Sequence, residues 1–491
     1  MRRGCGCGCG GFVVLIAVLA GLCFLLLGKV PKSYLPVAEP LPPPDDSSRL
    51  GGGLDGFSSP YLGHTGSWDG KGGGMFGGSK LPNLDTERSM GLRWTFMPVH
   101  WNAMEPDGPV DLSRETPPAW QELDAFVIAA HDRGLNILMQ APVVGGNAGG
   151  PPKWAGRRQP GKSAPARMPA AAEFAGKLAA RYSPNGTLAK RQGWGSRYGV
   201  RAWELDNEPD AYRTNWKGQA ADYAEFVTRV AVRIKQVDPE AVILTPAIAG
   251  GGHAIKWAEE ALNARSLAGS PAFRQSGVPY SIGKPTDVVS FHCYEGLETA
   301  FSRKDRTIER DLEEIRAAFE RWENQGPDFS YTRKREYWHT EGNFDFLGVL
   351  SAERRAAWRF QFFTRAFAAG IRKVIVMDPS KPEQAAVRAY IRALPSPFPM
   401  TLATRDISVV GGRAVAFRHS DGPEPDAGRV WVVWAVAGAG EATVEIPTLR
   451  SRAEIVTMEG RSEEITTLSN RVRLLLRGDP KMAPPVLVVD R

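Results

Sequence analysis

Along this chain, short apolar runs of strand length take turns with longer segments of helical period, and that alternation limits the fold more than any other feature. Residues 91–99 read as a strand and 120–133 as a helix. The order repeats through 135–140 and 170–182, 200–205 and 220–237, and 241–246 and 254–267. It continues through 287–292 and 308–324, 335–339 and 352–369, then 373–377 and 383–394. A weaker opening strand near 61–63 brings the count to eight strand–helix units. Strands separated by helices pair in parallel, and eight of them close into a (β/α)8 TIM barrel. An open doubly wound sheet is the alternative, and it uses fewer units.

Beyond Pro395 the texture changes. Val409 and the runs 415–417, 430–434, 443–446, 454–458 and 472–476 are short, rich in Val, Ile, Thr and Trp, and separated by turn residues. Such spacing with no helical segment predicts a small C-terminal antiparallel β-sandwich packed on the barrel. The barrel is therefore placed at 57–395 and the accessory domain at 396–491.

The N-terminus carries a different signal. Arg2 and Arg3 precede an uninterrupted apolar run from Phe12 to Gly28, 17 residues, which is the plan of an export segment. It also reaches the lower edge of what spans a bilayer. No small residue stands where cleavage would need one, so residues 1–30 read as an uncleaved membrane anchor, with a cleaved signal as the alternative. The segment 31–56, with Pro40, Pro42, Pro43, Pro44 and Gly51-Gly52-Gly53, reads as a semi-extended linker. The expected location is thus extracytoplasmic, tethered to the membrane or secreted.

Composition removes several classes. Hydrophobic residues at 43% and charged residues at 23% exclude wholesale disorder. The net charge of +7 is not gathered into any run of five Lys or Arg, so nucleic acid is not an expected partner. Four of the five cysteines lie within the first 23 residues, leaving Cys293 alone in the body and no disulfide framework there. Gly156-Arg157-Arg158-Gln159-Pro160-Gly161-Lys162-Ser163 spells a phosphate loop, but prolines flank it where a strand and a helix are required. Gly6-Cys7-Gly8-Cys9-Gly10-Gly11 opens the export segment and binds no dinucleotide. The histidines lack ligand spacing and no Gly-x-Ser-x-Gly elbow occurs. No metal or other cofactor is expected, and the oligomeric state is not legible.

Two strand ends carry the chemistry. Val200–Leu205 runs into Asp206-Asn207-Glu208-Pro209, and Arg335–Thr340 runs into Glu341-Gly342-Asn343. In the barrel these are strands 4 and 7, whose C-terminal ends open on the face that holds active sites and lie across the mouth from one another. A retaining glycosidase needs two carboxyl groups about 5–5.5 Å apart, one to protonate the leaving oxygen and one to attack the anomeric carbon. Either Glu alone is as readily a helix-capping neighbour or a salt-bridge partner; the pair on these two strands is not so easily dismissed.

At these residues the sequence resembles clan A glycoside hydrolases, and within them the family 39-like xylosidases, iduronidases and exopolysaccharide hydrolases. Asn207-Glu208-Pro209, preceded by Trp203-Glu204, matches the Asn-Glu-Pro motif. Gly91-Leu92-Arg93-Trp94 through Trp101 and Glu105-Pro106 is similar to the second-strand pattern. The resemblance implies Glu208 as general acid/base, Glu341 as nucleophile and Asn207 as partner of the sugar 2-hydroxyl. It implies His292 and Tyr294 as the His-x-Tyr whose Tyr positions the nucleophile. Two positions depart: Phe96 stands where the family often has Arg, and Asp206 where it has Trp. If Asp206 points inward, its charge raises the pKa of the acid; if outward, it is solvated. Trp101, Trp154, Trp338 and Tyr294 fall near strand ends, where flat rings stack on sugars. The expected function is a retaining glycoside hydrolase acting on a polysaccharide or oligosaccharide. The alternatives are a catalytically inactive carbohydrate-binding barrel or a scaffold in polysaccharide export.

Overall fold

The structure is a computed structural model. It describes residues 59–65, 84–144, 150–158, 164–211, 216, 218–250, 252–264, 280–295, 306–324, 335–342, 350–377, 379–394, 408–418, 429–436, 440–448, 450–479 and 482–490. The expected export segment and linker lie outside the described residues. Within them, no helix is long and apolar enough to cross a membrane.

Strands β1 (Ser59–Thr65), β2 (Leu92–His100), β3 (Asn136–Val143), β4 (Ala202–Glu204), β5 (Val242–Leu244), β6 (Val288–His292), β7 (Glu336–Glu341) and β8 (Lys373–Met377) form a closed barrel in sequence order. Every pair is parallel, and β8 closes on β1. Each strand is followed by a helix: α1 (Leu84–Ser89), α2 (Pro118–Asp132), α3 (Met168–Tyr182), α4 (Ala220–Val237), α5 (Gly252–Leu262), α6 (Ile308–Glu323), α7 (Ala352–Ala368) and α8 (Lys381–Ala393). The expected open-sheet alternative is thereby excluded. Helix α5 stops at Leu262, short of the expected 267, and α1 is a short helix that periodicity did not reveal.

Strand periodicity sorts the side chains. On β2, Trp94 and Phe96 enter the barrel, whereas Met97 and Val99 face the helical layer. Helix starts are set by local chemistry. Thr307 and Ser351 accept backbone N–H groups three residues on, and Ser380 with Glu383 forms a capping box. Glu383 also accepts from Arg359 Nε at 2.6 Å, pairing α8 with α7 where both side chains are 2% exposed.

The lower barrel is filled by an apolar layer that includes Trp94, Phe96, Leu138, Leu244, Val288 and Trp338. Lys373 lies among its rings, its Nζ 4.1 Å from the Trp94 centroid and 4.8 Å from that of Trp338. Trp338 meets Trp94 edge-on at 5.6 Å. The expectation that Trp338 stacks on sugar is therefore corrected: it precedes the mouth by three residues of β7, and at 2% exposure it is part of the core.

The C-terminal strands are β9 (Ser408–Val410), β10 (Gly412–Arg418), β11 (Arg429–Ala435), β12 (Glu441–Pro447), β13 (Arg452–Thr457), β14 (Ser462–Thr466), β15 (Arg471–Arg477) and β16 (Val486–Asp490). They form two antiparallel sheets, ordered β10-β11-β16-β13-β14 and β15-β12-β9. Strands β14 and β16 are additions to the six expected runs. The larger sheet faces both ways: Trp431, Val433 and Val488 pack on the smaller sheet, while Val432, Trp434 and Leu487 join the barrel's helical core.

Because Trp338 is core, Trp338→Ala should destabilise the protein by about 3–5 kcal/mol. Urea unfolding measures this, and a stability within experimental error of the parent would return the ring to the substrate cleft.

Candidate active site

Above the apolar layer the barrel turns polar. Glu204, the last residue of β4, is fully buried and accepts from Gln140 Nε2 at 2.7 Å and from the Ser290 hydroxyl at 2.5 Å. Burial pushes its carboxyl upward, against the charge of His292 and the hydrogen bonds of Ser290, Thr340 and Gln140. Gln140 Nε2 also donates to Asn207 Oδ1 at 3.1 Å. That contact commits the Asn207 oxygen to Gln140.

After Glu204 the chain makes a tight excursion. Asp206 at φ 69° and Glu208 at φ 41° both adopt left-handed backbone, which is sparsely populated by non-glycine residues. Glu208 N–H donates to Ala247 O at 3.1 Å, and Asn207 bridges to Ala247, so the segment is sewn to the chain beyond β5. This places Glu208 beside His292, the last residue of β6, with His292 Nδ1 2.7 Å from Glu208 Oε1.

Glu341 ends β7, and the Tyr294 hydroxyl donates to its Oε1. Gly342 permits this approach: a Cβ there would lie 2.0 Å from Cys293 O and 2.5 Å from His339 Nε2. One donor atom each from Glu208, His292 and Glu341 lies within 4.8 Å of the others. Burial drives the Glu341 carboxyl above its ordinary range and Glu208 adds to this; His292 and the Tyr294 hydrogen bond oppose it. Burial disfavours charge on His292, yet the negative charges of Glu341, Glu208 and Glu204 prevail and push it up to about 9. At neutral pH these charges favour the imidazolium form.

Five of the expected site residues, Asn207, Glu208, His292, Tyr294 and Glu341, therefore meet at the barrel mouth. Trp101 does not join them. It is fully buried behind β2, donates to Glu105 Oε2 at 3.0 Å and packs against Trp154 and Phe174. Its expected role in sugar stacking is corrected: β2 ends at His100, and Trp101 opens a one-turn helix, Trp101–Met104, that buries the ring. Phe96 sits in the apolar layer at 6% exposure, where an arginine would have no ion partner among its apolar neighbours. Gln140, Glu204, Ser290 and Asp210 escaped sequence reading. The one available signal was Glu204, a carboxylate at an inward position two residues after Ala202.

Because the folded-state pKa of His292 lies above its ordinary 6.5, the stability it contributes is full below pH 6.5 and is lost as pH rises through about 9. Comparing urea unfolding of the parent and His292→Gln at pH 6 and pH 9.5 should show a gap between them that narrows at the higher pH. A gap independent of pH would mean that the imidazole is neutral.

No protein-family model and no curated protein sequence matches the chain. Solved structures do. A glucosidase from Croceicoccus marinus aligns with TM-score 0.52 at 14% identity over 90% of this chain and 98% of its own. A Paenibacillus polymyxa xyloglucanase of glycoside hydrolase family 44 gives 0.51 at 14% identity, over 88% and 97%. The family 51 α-L-arabinofuranosidase AbfB from Bifidobacterium longum gives 0.53 at 11%, over 89% and 96%. These enzymes do not single out family 39, and at such identities the likeness is one of architecture: this chain has the fold of clan A glycoside hydrolases.

Proposed function

We propose that the chain is a retaining glycoside hydrolase that cleaves O-glycosidic bonds of a poly- or oligosaccharide by double displacement. The observation that carries this is the pair Glu208 and Glu341, with carboxylate oxygens within 4.8 Å at the mouth of a closed barrel. Inverting enzymes keep their carboxyl groups about 6.5–9.5 Å apart to admit a water molecule between sugar and base.

In the first step a Glu341 oxygen bonds to the anomeric carbon. The bond to the leaving oxygen breaks as Glu208 gives that oxygen its proton. In the second, Glu208 takes a proton from water, whose oxygen replaces Glu341 at the same carbon. Tyr294 holds Glu341 Oε1, which leaves Oε2 to attack. Asn207, with its oxygen committed to Gln140, presents NH₂ to the 2-hydroxyl. The imidazolium of His292 offsets the ionised Glu341 before substrate arrives, and Glu208 enters the first step carrying the proton it gives. The motifs around Asn207-Glu208-Pro209 favour a family 39-like enzyme. The apolar leader, residues 12–28, supports an extracytoplasmic location, membrane-anchored or secreted.

The fold neighbours suggest the first substrates: aryl glycosides of glucose, xylose and arabinofuranose, each with a 4-nitrophenyl and a 2,4-dinitrophenyl leaving group. Proton NMR should show the first-formed sugar with the anomeric configuration of the substrate. The opposite anomer would make Glu341 a base for water. Glu341→Ala should abolish turnover. Glu208→Ala should slow it by about 10²–10⁴-fold, and azide should restore it by forming a glycosyl azide of retained configuration. Binding of glycans without any turnover would favour the inactive barrel. N-terminal sequencing from the native host should begin at the translated start; a start near Ser33 would mean secretion after cleavage.

A further inference from the structure

We infer that Asp206 and Asp210 are paired positioning residues that hold Glu208 in its working conformation by gripping the backbones of the two neighbouring strand ends; this rests on the glycosidase reading of Glu208. Each aspartate stands two residues from Glu208, one on either side. Asp206 is fully buried, and its Oδ1 accepts the Val144 N–H at 3.0 Å, just past the end of β3. Asp210 is 5% exposed, and its two oxygens accept the Ala249 N–H at 3.1 and 3.0 Å, past the end of β5. Ala249 is fastened in turn: its carbonyl accepts from Arg306 Nη2 at 2.6 Å, and the same nitrogen donates to His292 O at 2.7 Å. The segment carrying Glu208 is thereby tied to β3 on one side and, through Ala249 and Arg306, to the strand that carries His292 on the other.

The grip answers a local problem. Left-handed backbone at both Asp206 and Glu208 is unfavourable for L-residues and persists only where the surroundings impose it. A single bond from Glu208 N–H to Ala247 O fixes the centre of the segment; the aspartates fix its two ends. Each end is closed by ordinary hydrogen bonds of 3.0–3.1 Å from a backbone N–H to side-chain oxygens withdrawn from water. Both side chains are too deeply buried to touch a sugar, so they act through Glu208. Asp206 is also where the chain departs from the family's Trp, and the departure is explained: its carboxylate is spent on Val144.

Four variants and two readouts test this. Asp206→Gly removes the carboxylate while admitting positive φ without steric cost, and Asp210→Ala removes the other grip. Asp206→Asn and Asp210→Asn retain an acceptor oxygen. Hydrogen exchange followed by mass spectrometry needs no substrate. Exchange at Val144 should quicken about tenfold in Asp206→Gly, and exchange at Ala249 should do so in Asp210→Ala, while the Asn variants stay near the parent. On whichever aryl glycoside the parent cleaves, the Gly and Ala variants should lose about tenfold in kcat/KM with the 4-nitrophenyl group. Their kcat/KM with the 2,4-dinitrophenyl group, which leaves without a proton, should be largely kept. Unchanged exchange, equal loss on both leaving groups, or Asn variants as impaired as their partners would overturn the inference. If the parent cleaves none of the glycosides, the glycosidase reading fails; the exchange result still decides whether the grip exists.

Discussion

Carboxylates withdrawn from water around one imidazole are the constraint on which the upper barrel depends. A carboxylate left alone in such a place would take up a proton, since burial disfavours charge. Glu204 accepts hydrogen bonds from Gln140 and Ser290, Glu208 lies against His292 Nδ1, and Glu341 accepts from the Tyr294 hydroxyl. One cation shared among three acids explains why the imidazole is held protonated so far above its ordinary range. It also explains why the parts cannot be moved singly. β6 supplies Ser290 to Glu204 and His292 to Glu208, and Tyr294 beyond it reaches Glu341, so one strand sets all three acids.

The division of the barrel into a dry floor and a polar mouth follows from this. Trp94, Phe96, Leu138 and Trp338 exclude water from below the carboxylates and strengthen each charge interaction above them. A basic side chain at Phe96 would be surrounded by these rings. The positive charge facing the acids comes from β6 instead of β2. The C-terminal sheets contribute at a distance. Arg354 of α7 meets Asp479 at 3.0 Å, Gln361 donates to Ala483 O at 2.7 Å, and Trp434 and Leu487 seal the outer face of the helical layer. Helix α7, joined to α8 by Arg359 and Glu383, is thus buried on both sides, which steadies the strands it flanks.

Several levels of this organisation were legible in the chain alone. Period-2 and period-3.6 patterns differ enough that seven of the eight strand–helix units could be read directly, because each strand faces a floor on one side and helices on the other. The carboxylate pair was legible because parallel barrels put their strand ends on one face, so Asn207-Glu208 and Glu341 had to open there. The direction of the aromatic rings was not legible. Trp101 and Trp338 occupy positions one residue beyond and three residues before a strand end, and proximity to an end says nothing about which way a ring turns. The pleat of β7 turned Trp338 down into the floor, and the helical turn that begins at Trp101 carried that ring into the helical layer.

The sequence by itself thus determined the architecture and the identity of the two facing acids, since both follow from local periodicity and from the topology that periodicity imposes. Only the tertiary structure decided how those acids are held. Gln140 and Glu204 are separated by 64 residues, His292 and Glu208 by 84, and no local pattern encodes their meeting. Asp206 shows the limit most plainly. Its charge is evident in the chain, but whether it repels Glu208 or braces it depends on a backbone N–H 62 residues away, at the end of the neighbouring strand.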